Sequence, residues 1–183
     1  MNWKIDPSHS LIEFSVKHMM ITKVRGQFTS FDGVITVEPT NLLASKVEGS
    51  IDVASIDTKE EQRDNHLRSA DFFDVETYPQ MTFRSTRIEA VGGDEYKVYG
   101  DMTIKDVTRE VVFEVSNEGQ GQDPWGGQRW GISATARLNR KDFGLTWNVA
   151  LETGGWLVGD EVKIAIELQL VQEQPQPETV AAA

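Results

Sequence analysis

The sequence predicts an all-β protein, a single antiparallel β-barrel of about eight strands with one short helix between strands. Three observations carry that prediction. Apolar and polar residues alternate with period two in segment after segment. Turn chemistry separates those segments. Gly49 and Gly100 fall on faces that the alternation makes dry. Successive side chains of a strand point to opposite faces, so such alternation means one wet face and one dry face. Antiparallel strands of that kind either pack as two sheets or close on themselves. A sandwich places interlocking side chains where these glycines stand. In a barrel, glycine relieves curvature or leaves room in the lumen, which favours the barrel.

The elements follow in chain order. Ile12, Phe14, Val16 and His18 form the first dry face, alternating with Glu13, Ser15 and Lys17. A less regular segment from Phe28 to Glu38 leads into the turn Glu38-Pro39-Thr40-Asn41. Val47, Gly49, Ile51 and Val53 then alternate with Lys46, Glu48, Ser50 and Asp52. One segment breaks the pattern: a helix is expected from about Lys59 to Ser69, with Thr58 as N-cap and Glu61 closing a capping box. Asp71-Phe72-Phe73-Asp74 makes an amphipathic turn before Tyr78-Pro79. Met81 and Phe83 resume the strands, followed after Gly92-Gly93-Asp94 by Tyr96, Val98, Gly100, Met102 and Ile104. Val111, Phe113 and Val115 come next, then the turn signals Asp123-Pro124 and Gly126-Gly127. Trp130, Ile132, Ala134, Ala136 and Leu138 form another face, and past Gly159-Asp160 the run Val162, Ile164, Ile166, Leu168 and Leu170 closes the series. Residues 1–171 are expected to be one barrel domain. The stretch 172–183, QEQPQPETVAAA, has no periodicity and is expected to be a disordered tail. The residues expected to face inward are Phe14, Val16, Ile51, Val53, Phe83, Val98, Met102, Phe113, Ile132, Ala134, Ile164 and Ile166.

A chain of 183 residues, 39% hydrophobic and 26% charged, buries a sizeable core as an ordinary globular protein. Its net charge of −11 repels phosphates of nucleic acid and anionic lipid head groups, so neither is expected as a partner. There is no cysteine, hence no disulfide frame, thiol nucleophile or Cys-ligated metal. No apolar run approaches membrane-spanning length and MNWKIDPSHS has no signal-type apolar core, so a cytoplasmic location without stable membrane insertion is expected.

An eight-stranded barrel is wide enough either to be filled by side chains or to hold one small ligand. Gly49, Gly100, Ala134 and Ala136 favour a cavity; filling by Phe14, Phe28, Phe83, Phe113, Met102 and Trp130 is the competing arrangement.

The segments WKIDPSHSLIEFSVKHM, VRGQF, RDNHLRSADFFDVETYPQMTF, LNRKDFGL and VGDEVKIAIEL, in that order, resemble the YceI-like family of polyisoprenoid-binding proteins, from about Trp3 to Val171. The resemblance implies a lipocalin-like antiparallel barrel whose lumen holds a long isoprenoid chain, such as a polyprenyl phosphate or an isoprenoid quinone. Many family members carry a secretory signal peptide, and this sequence departs from them there. Asp106 stands where the family usually has glycine before the VVFEV strand, one turn residue for another.

Such a ligand gives the inward polar residues a reading. An isoprenoid head group needs a polar partner. His18 and the helix residues Arg63 and His66 offer charge-assisted donors. The alternative is that His18 is satisfied by a backbone carbonyl and that Arg63 clasps a neighbour. The expected ligand-contacting set is therefore Phe14, Val16, His18, Phe28, Gly49, Arg63, His66, Phe83, Gly100, Met102, Phe113 and Trp130. Asn139-Arg140-Asp142 is expected to form an Arg–carboxylate clasp. Trp125, Trp130, Trp147 and Trp156 flank glycine-containing loops, where they pack in the core or lid the lumen. No cofactor or metal is expected: the only histidines, His9, His18 and His66, form no short ligand pair. A non-catalytic carrier is the primary reading, and a small-molecule enzyme using His18 and His66 in the same cavity is the alternative. A homodimer is left open.

Overall fold

The computed structural model describes residues 1–173. They form one closed antiparallel barrel built from β1 (Asn2–Ile5), β2 (Leu11–His18), β3 (Thr22–Phe28), β4 (Phe31–Thr36), β5 (Lys46–Asp52), β6 (Ile56–Asp57), β7 (Gln80–Gly92), β8 (Glu95–Ile104), β9 (Val107–Gln122), β10 (Gln128–Asn139) and β11 (Val158–Gln172). The helix α1 (Glu61–Arg68) interrupts them between β6 and β7. Three pairs of segments are halves of bent strands. β1 and β2 both lie against β11, β3 and β4 continue each other along β2 and β1, and β5 and β6 do the same along β4 and β3. Counted that way the barrel has eight strands, each bonded to its neighbour in sequence, and the β1–β11 pairing closes the ring. A closed ring has no free edge, so its backbone groups are satisfied within the sheet.

The up-and-down order gives the barrel two ends. At one, three connections meet: residues 37–45, 93–94 and 123–127. At the other lie the β2–β3 hairpin, α1 with its flanking loops, the β8–β9 turn and the long 140–157 connection. The second end is plugged. Val53, Ile56, Phe72, Phe143 and Leu145 are buried there in one cluster, with Leu67 and Phe73 packed against it. A smaller cluster of Trp3, Ile35, Val37, Ile132 and Leu170 holds the first end, where the Trp3 and Trp130 rings meet edge to face at 5.5 Å.

Several local expectations are corrected. Glu60, not Thr58, is the N-cap of α1: its carboxylate accepts the amides of Gln62 and Arg63 at 3.1 and 2.6 Å. Thr58 is instead buried, its amide donating to Asp64 Oδ1 at 2.9 Å and its hydroxyl to the same carboxylate. Val53 is inside, but in a 3-10 turn beyond the end of β5. β7 and β9 run much further than the alternation indicated, to Gly92 and Gln122. Their outer portions rise past the last β5 pairing, Glu48↔Arg84, and are mostly exposed, so no buried face imposes a pattern there. β11 reaches Gln172, which pairs with Trp3, and Glu173 meets Lys4 at 2.7 Å. The rest of the expected disordered tail, 174–183, lies outside the described residues.

Candidate functional site

The barrel encloses a cavity of about 410 Å³, within the range of small-molecule sites. The dry faces of the strands build it. Phe14 and Val16 from β2, Phe28 from β3, Gly49 and Ile51 from β5, Phe83 and Ile88 from β7 and Val98 and Met102 from β8 supply one part of the wall. Phe113, Trp130, Ile132, Ala134, Ile164 and Ile166 supply the other. Of the twelve residues expected inward, Val53 alone does not border the cavity.

The glycines act differently from one another. A Cβ on Gly49 would find only the Asp32 carbonyl oxygen, at 3.6 Å, so its place is open lumen. Gly100 does not border the cavity, because the Phe83 ring lies over it. Phe14 lies over Gly26 in the same way, and Ile5 over Gly33. The rings thus lie back against the wall in slots that a Cβ would close, which keeps the middle of the barrel free. The expectation that Gly100 itself faces ligand space is corrected accordingly.

The three cationic candidates do not border the cavity either. His18 has the inward parity of Phe14 and Val16, but it is the last residue of β2, paired with Thr22 and Val158 at the plugged end. Arg63 turns to Thr58, donating to its hydroxyl and its carbonyl, both at 2.7 Å. His66 meets Asp71 at 2.8 Å and presents its ring edge-on to Trp147 and Phe72, at 4.6 and 5.2 Å between centroids. Arg63 and His66 therefore fasten α1 to the barrel end.

Among the described residues Arg140 is the one basic residue that borders the cavity, and it is 3% exposed. The expected clasp to a carboxylate is largely a clasp to carbonyls. Its guanidinium donates to Leu145 at 2.6 Å, Gly159 at 2.8 Å and Trp147 at 2.9 Å, while the nearest carboxylate, Asp160, stands at 3.6 Å. Asp142 is not its partner. Burial lowers the Arg140 pKa, opposed by Asp160; with a further bond to the Val158 carbonyl at 3.4 Å the group is bound to four carbonyls and has no donor arm directed at a ligand.

Sequence reasoning missed the polar residues at the first end, where the 37–45, 93–94 and 123–127 connections meet. Asn117, Gln120 and Ser45 border the cavity there with Tyr96, whose inward parity was legible, and with Leu42 from the 3-10 turn of the 37–45 connection. Asn117 is held by its neighbours: Trp130 Nε1 donates to it at 2.7 Å and it donates to Asp94 at 3.0 Å. The acids bordering the cavity, Glu13, Asp32 and Glu48, stand at exposed positions. The tryptophans divide: Trp130 and Trp147 pack inside, whereas Trp125 and Trp156 are exposed.

Known proteins share this architecture. The chain is 39% identical over 163 residues to the UPF0312 protein SA2479 of Staphylococcus aureus (strain N315), covering 88% of this chain and 92% of that one. The crystal structure of Burkholderia cenocepacia BcnA matches with a TM-score of 0.77 at 27% identity, over 90% of this chain and 98% of that chain. The Campylobacter jejuni YCEI protein matches at 0.73 and 28%, over 86% and 90%. A polyisoprenoid binding domain from Saccharophagus degradans, implicated in plant cell wall breakdown, has the same fold, with a TM-score of 0.69 at 13% identity over 93% and 98%. The YceI-like domain profile matches residues 3–170. With the barrel and its sequence segments both accounted for, the chain belongs to the YceI-like domain family.

Proposed function

We propose that this protein binds a long-chain isoprenoid lipid in the barrel lumen and sequesters or carries it without chemical change. The observation that carries the reading is the cavity wall, mainly apolar, with Ser45, Tyr96, Asn117 and Gln120 gathered at the first end, beside the 37–45, 93–94 and 123–127 connections. Burial yields about 0.8 kcal/mol per CH₂, so ten chain carbons supply roughly 8 kcal/mol before the cost of ordering the chain. The tail then gives affinity, and the end group gives orientation.

The polar residues favour an uncharged end group. Arg140 is saturated by carbonyls, and no other cation borders the lumen among the described residues. A phosphate would enter without a charged partner, which is costly. Tyr96, Gln120 and Asn117 are neutral hydrogen-bonding groups, suited to a quinone carbonyl or an alcohol. Of the two ligand classes expected from sequence, the isoprenoid quinone is the better match. The enzyme reading loses its support, since neither His18 nor His66 borders the cavity.

Organic extraction of purified protein followed by mass spectrometry tests the reading. A polyprenyl-containing species at near one equivalent is expected. Recovery of a modified product from an added isoprenoid would replace the carrier with an enzyme.

A further inference from the structure

Five basic residues share one corner of the outer wall: Lys17 on β2, Lys23 and Arg25 on β3, Arg137 on β10 and Lys163 on β11. The alternation that turns Phe14, Val16 and Ile164 into the lumen turns these outward. Register puts like charges directly opposite each other twice, Lys17 against Lys23 and Lys163 against Arg137. Arg25, Ser15, Lys163 and Arg137 form a continuous row across four strands. Like charges directly opposite destabilise a sheet. The chain has 29 carboxylates to 18 Lys and Arg with which to avoid that, yet among the described residues Arg137 alone of the five has an ion-pair partner, Glu161 at 3.8 Å. The other nearby acids are Glu13, Glu114 and Asp160; Glu114 lies opposite Thr135, two residues from Arg137, and Asp160 is taken by Lys141 at 3.1 Å and Arg140.

The tip of the β2–β3 hairpin adjoins this row. Met20 is 67% exposed and Ile21 80%, with Met19 and, on the neighbouring loop, Val149 and Trp156 also exposed. Met20 lies over Gly155 and the Met19 amide donates to the Leu157 carbonyl at 2.7 Å, so the tip and the loop make one apolar knob. The turn is closed by Ile21 N–H on the His18 carbonyl at 3.1 Å, with Met19 and Met20 both left-handed at φ 52° and 62°. Asn-Gly is the usual choice for such a turn. Here strained positions present two large apolar side chains to solvent instead.

We propose that this corner docks the protein on the surface of an anionic lipid bilayer. Met20, Ile21 and Trp156 enter the head-group region, while Lys17, Lys23, Arg25, Arg137 and Lys163 meet the anionic head groups. The net charge of −11, from which anionic lipid is not expected as a partner, is unevenly spread: this corner is basic, and the acidic remaining faces are kept off the same surface, which fixes the orientation. Nucleic acid would engage the basic row but leaves the apolar knob without a role. The proposal goes beyond the ligand reading and does not depend on what fills the lumen. The opposite end supplies a control: Leu42, Leu43, Val91 and Trp125 are exposed there too, but beside Glu38, Glu89, Asp94 and Asp123.

Co-sedimentation with phosphatidylcholine vesicles, with and without phosphatidylglycerol, tests this at low and raised salt. Binding only to the phosphatidylglycerol vesicles, weakened by salt, is expected. Lys17→Gln/Lys23→Gln lowers it on the order of tenfold to thirtyfold; Met20→Ser/Ile21→Ser lowers it comparably, and Trp125→Ser leaves it unchanged. Circular dichroism melts confirm that these exposed substitutions leave the barrel folded. Equal binding to both vesicle types, no binding to either, or loss only with Trp125→Ser would overturn the proposal. So would duplex DNA binding that the lysine substitutions abolish, which would give the row to nucleic acid.

Discussion

The Phe83 ring lies against Gly100 on the neighbouring strand, so close that a Cβ on Gly100 would sit 2.6 Å from Phe83 Cε2 and from the Arg84 carbonyl oxygen. Gly100→Leu therefore pushes Phe83 towards the lumen or the strands apart. It should cost about 1–3 kcal/mol, the usual range for overpacking, read as a lower denaturant midpoint. Gly49→Leu meets no such obstacle. It should leave the midpoint nearly unchanged and weaken isoprenoid binding on the order of tenfold or more by filling the space the chain uses. If both variants lose stability equally, the two glycines serve curvature alone.

Arg140 ties the 144–147 segment and the start of β11 together through the Leu145, Trp147, Val158 and Gly159 carbonyls, of which Val158 also accepts from Asn148 at 2.7 Å. Arg140→Met should destabilise the barrel by about 2–4 kcal/mol, since it strands several buried acceptors at once. Hydrogen exchange should quicken first around Leu145 to Gly159, and Lys, lacking the fork, should rescue little. Uniform quickening over the whole barrel would argue against a local clasp.

Asp6 sits at the bend between β1 and β2, accepting from Ser8, His9 and Arg129, the last at 3.1 Å. Hydrogen bonds from Ser8 and then His9 hold its carboxyl down to about 2. A carboxylate lowered in the folded state adds stability that is complete above its unfolded pKa and disappears as pH falls through the folded one. The wild type should therefore lose up to about 2 kcal/mol more than Asp6→Asn between pH 5 and about pH 2. Parallel thermal melts of the two proteins across that window check it; superimposable pH profiles would remove Asp6 from the acid limb.

Arg63 and His66 face protein partners, so their loss should act on stability and not on ligand choice. Arg63→Leu leaves the buried Thr58–Asp64 pair short of a donor and should cost about 1–3 kcal/mol. Its effect on quinone, alcohol and phosphate ligands, measured by calorimetry on folded protein, should be the same for all three. A selective loss for one end group would return Arg63 to the site.

Most of the wall was legible because alternation survives wherever a strand has one buried face: Phe14, Phe83, Met102, Phe113 and Ile166 stand where parity puts them. Parity could not say how deep the lumen reaches, so His18, correct in direction, falls beyond it. It also could not show that the space at Gly100 would be taken by a ring from the next strand. Arg63 and His66 were misassigned because a helix residue's partners depend on where the helix docks, and α1 docks by Arg68 on the Ala54 and Ile56 carbonyls, at 2.9 and 2.8 Å. Asn117 and Gln120 were hidden because β9 carries no alternation where it rises past its neighbours.

The central claim is that the lumen takes an isoprenoid tail and prefers an uncharged end. Titrating delipidated protein with an isoprenoid quinone, the alcohol and the polyprenyl phosphate of matched chain length tests it most directly. The account predicts tight binding of quinone and alcohol and phosphate binding weaker by on the order of tenfold or more, the cost of an unpaired charge. Tightest binding of the phosphate would contradict the end-group assignment, and no binding of any of the three would contradict the carrier itself.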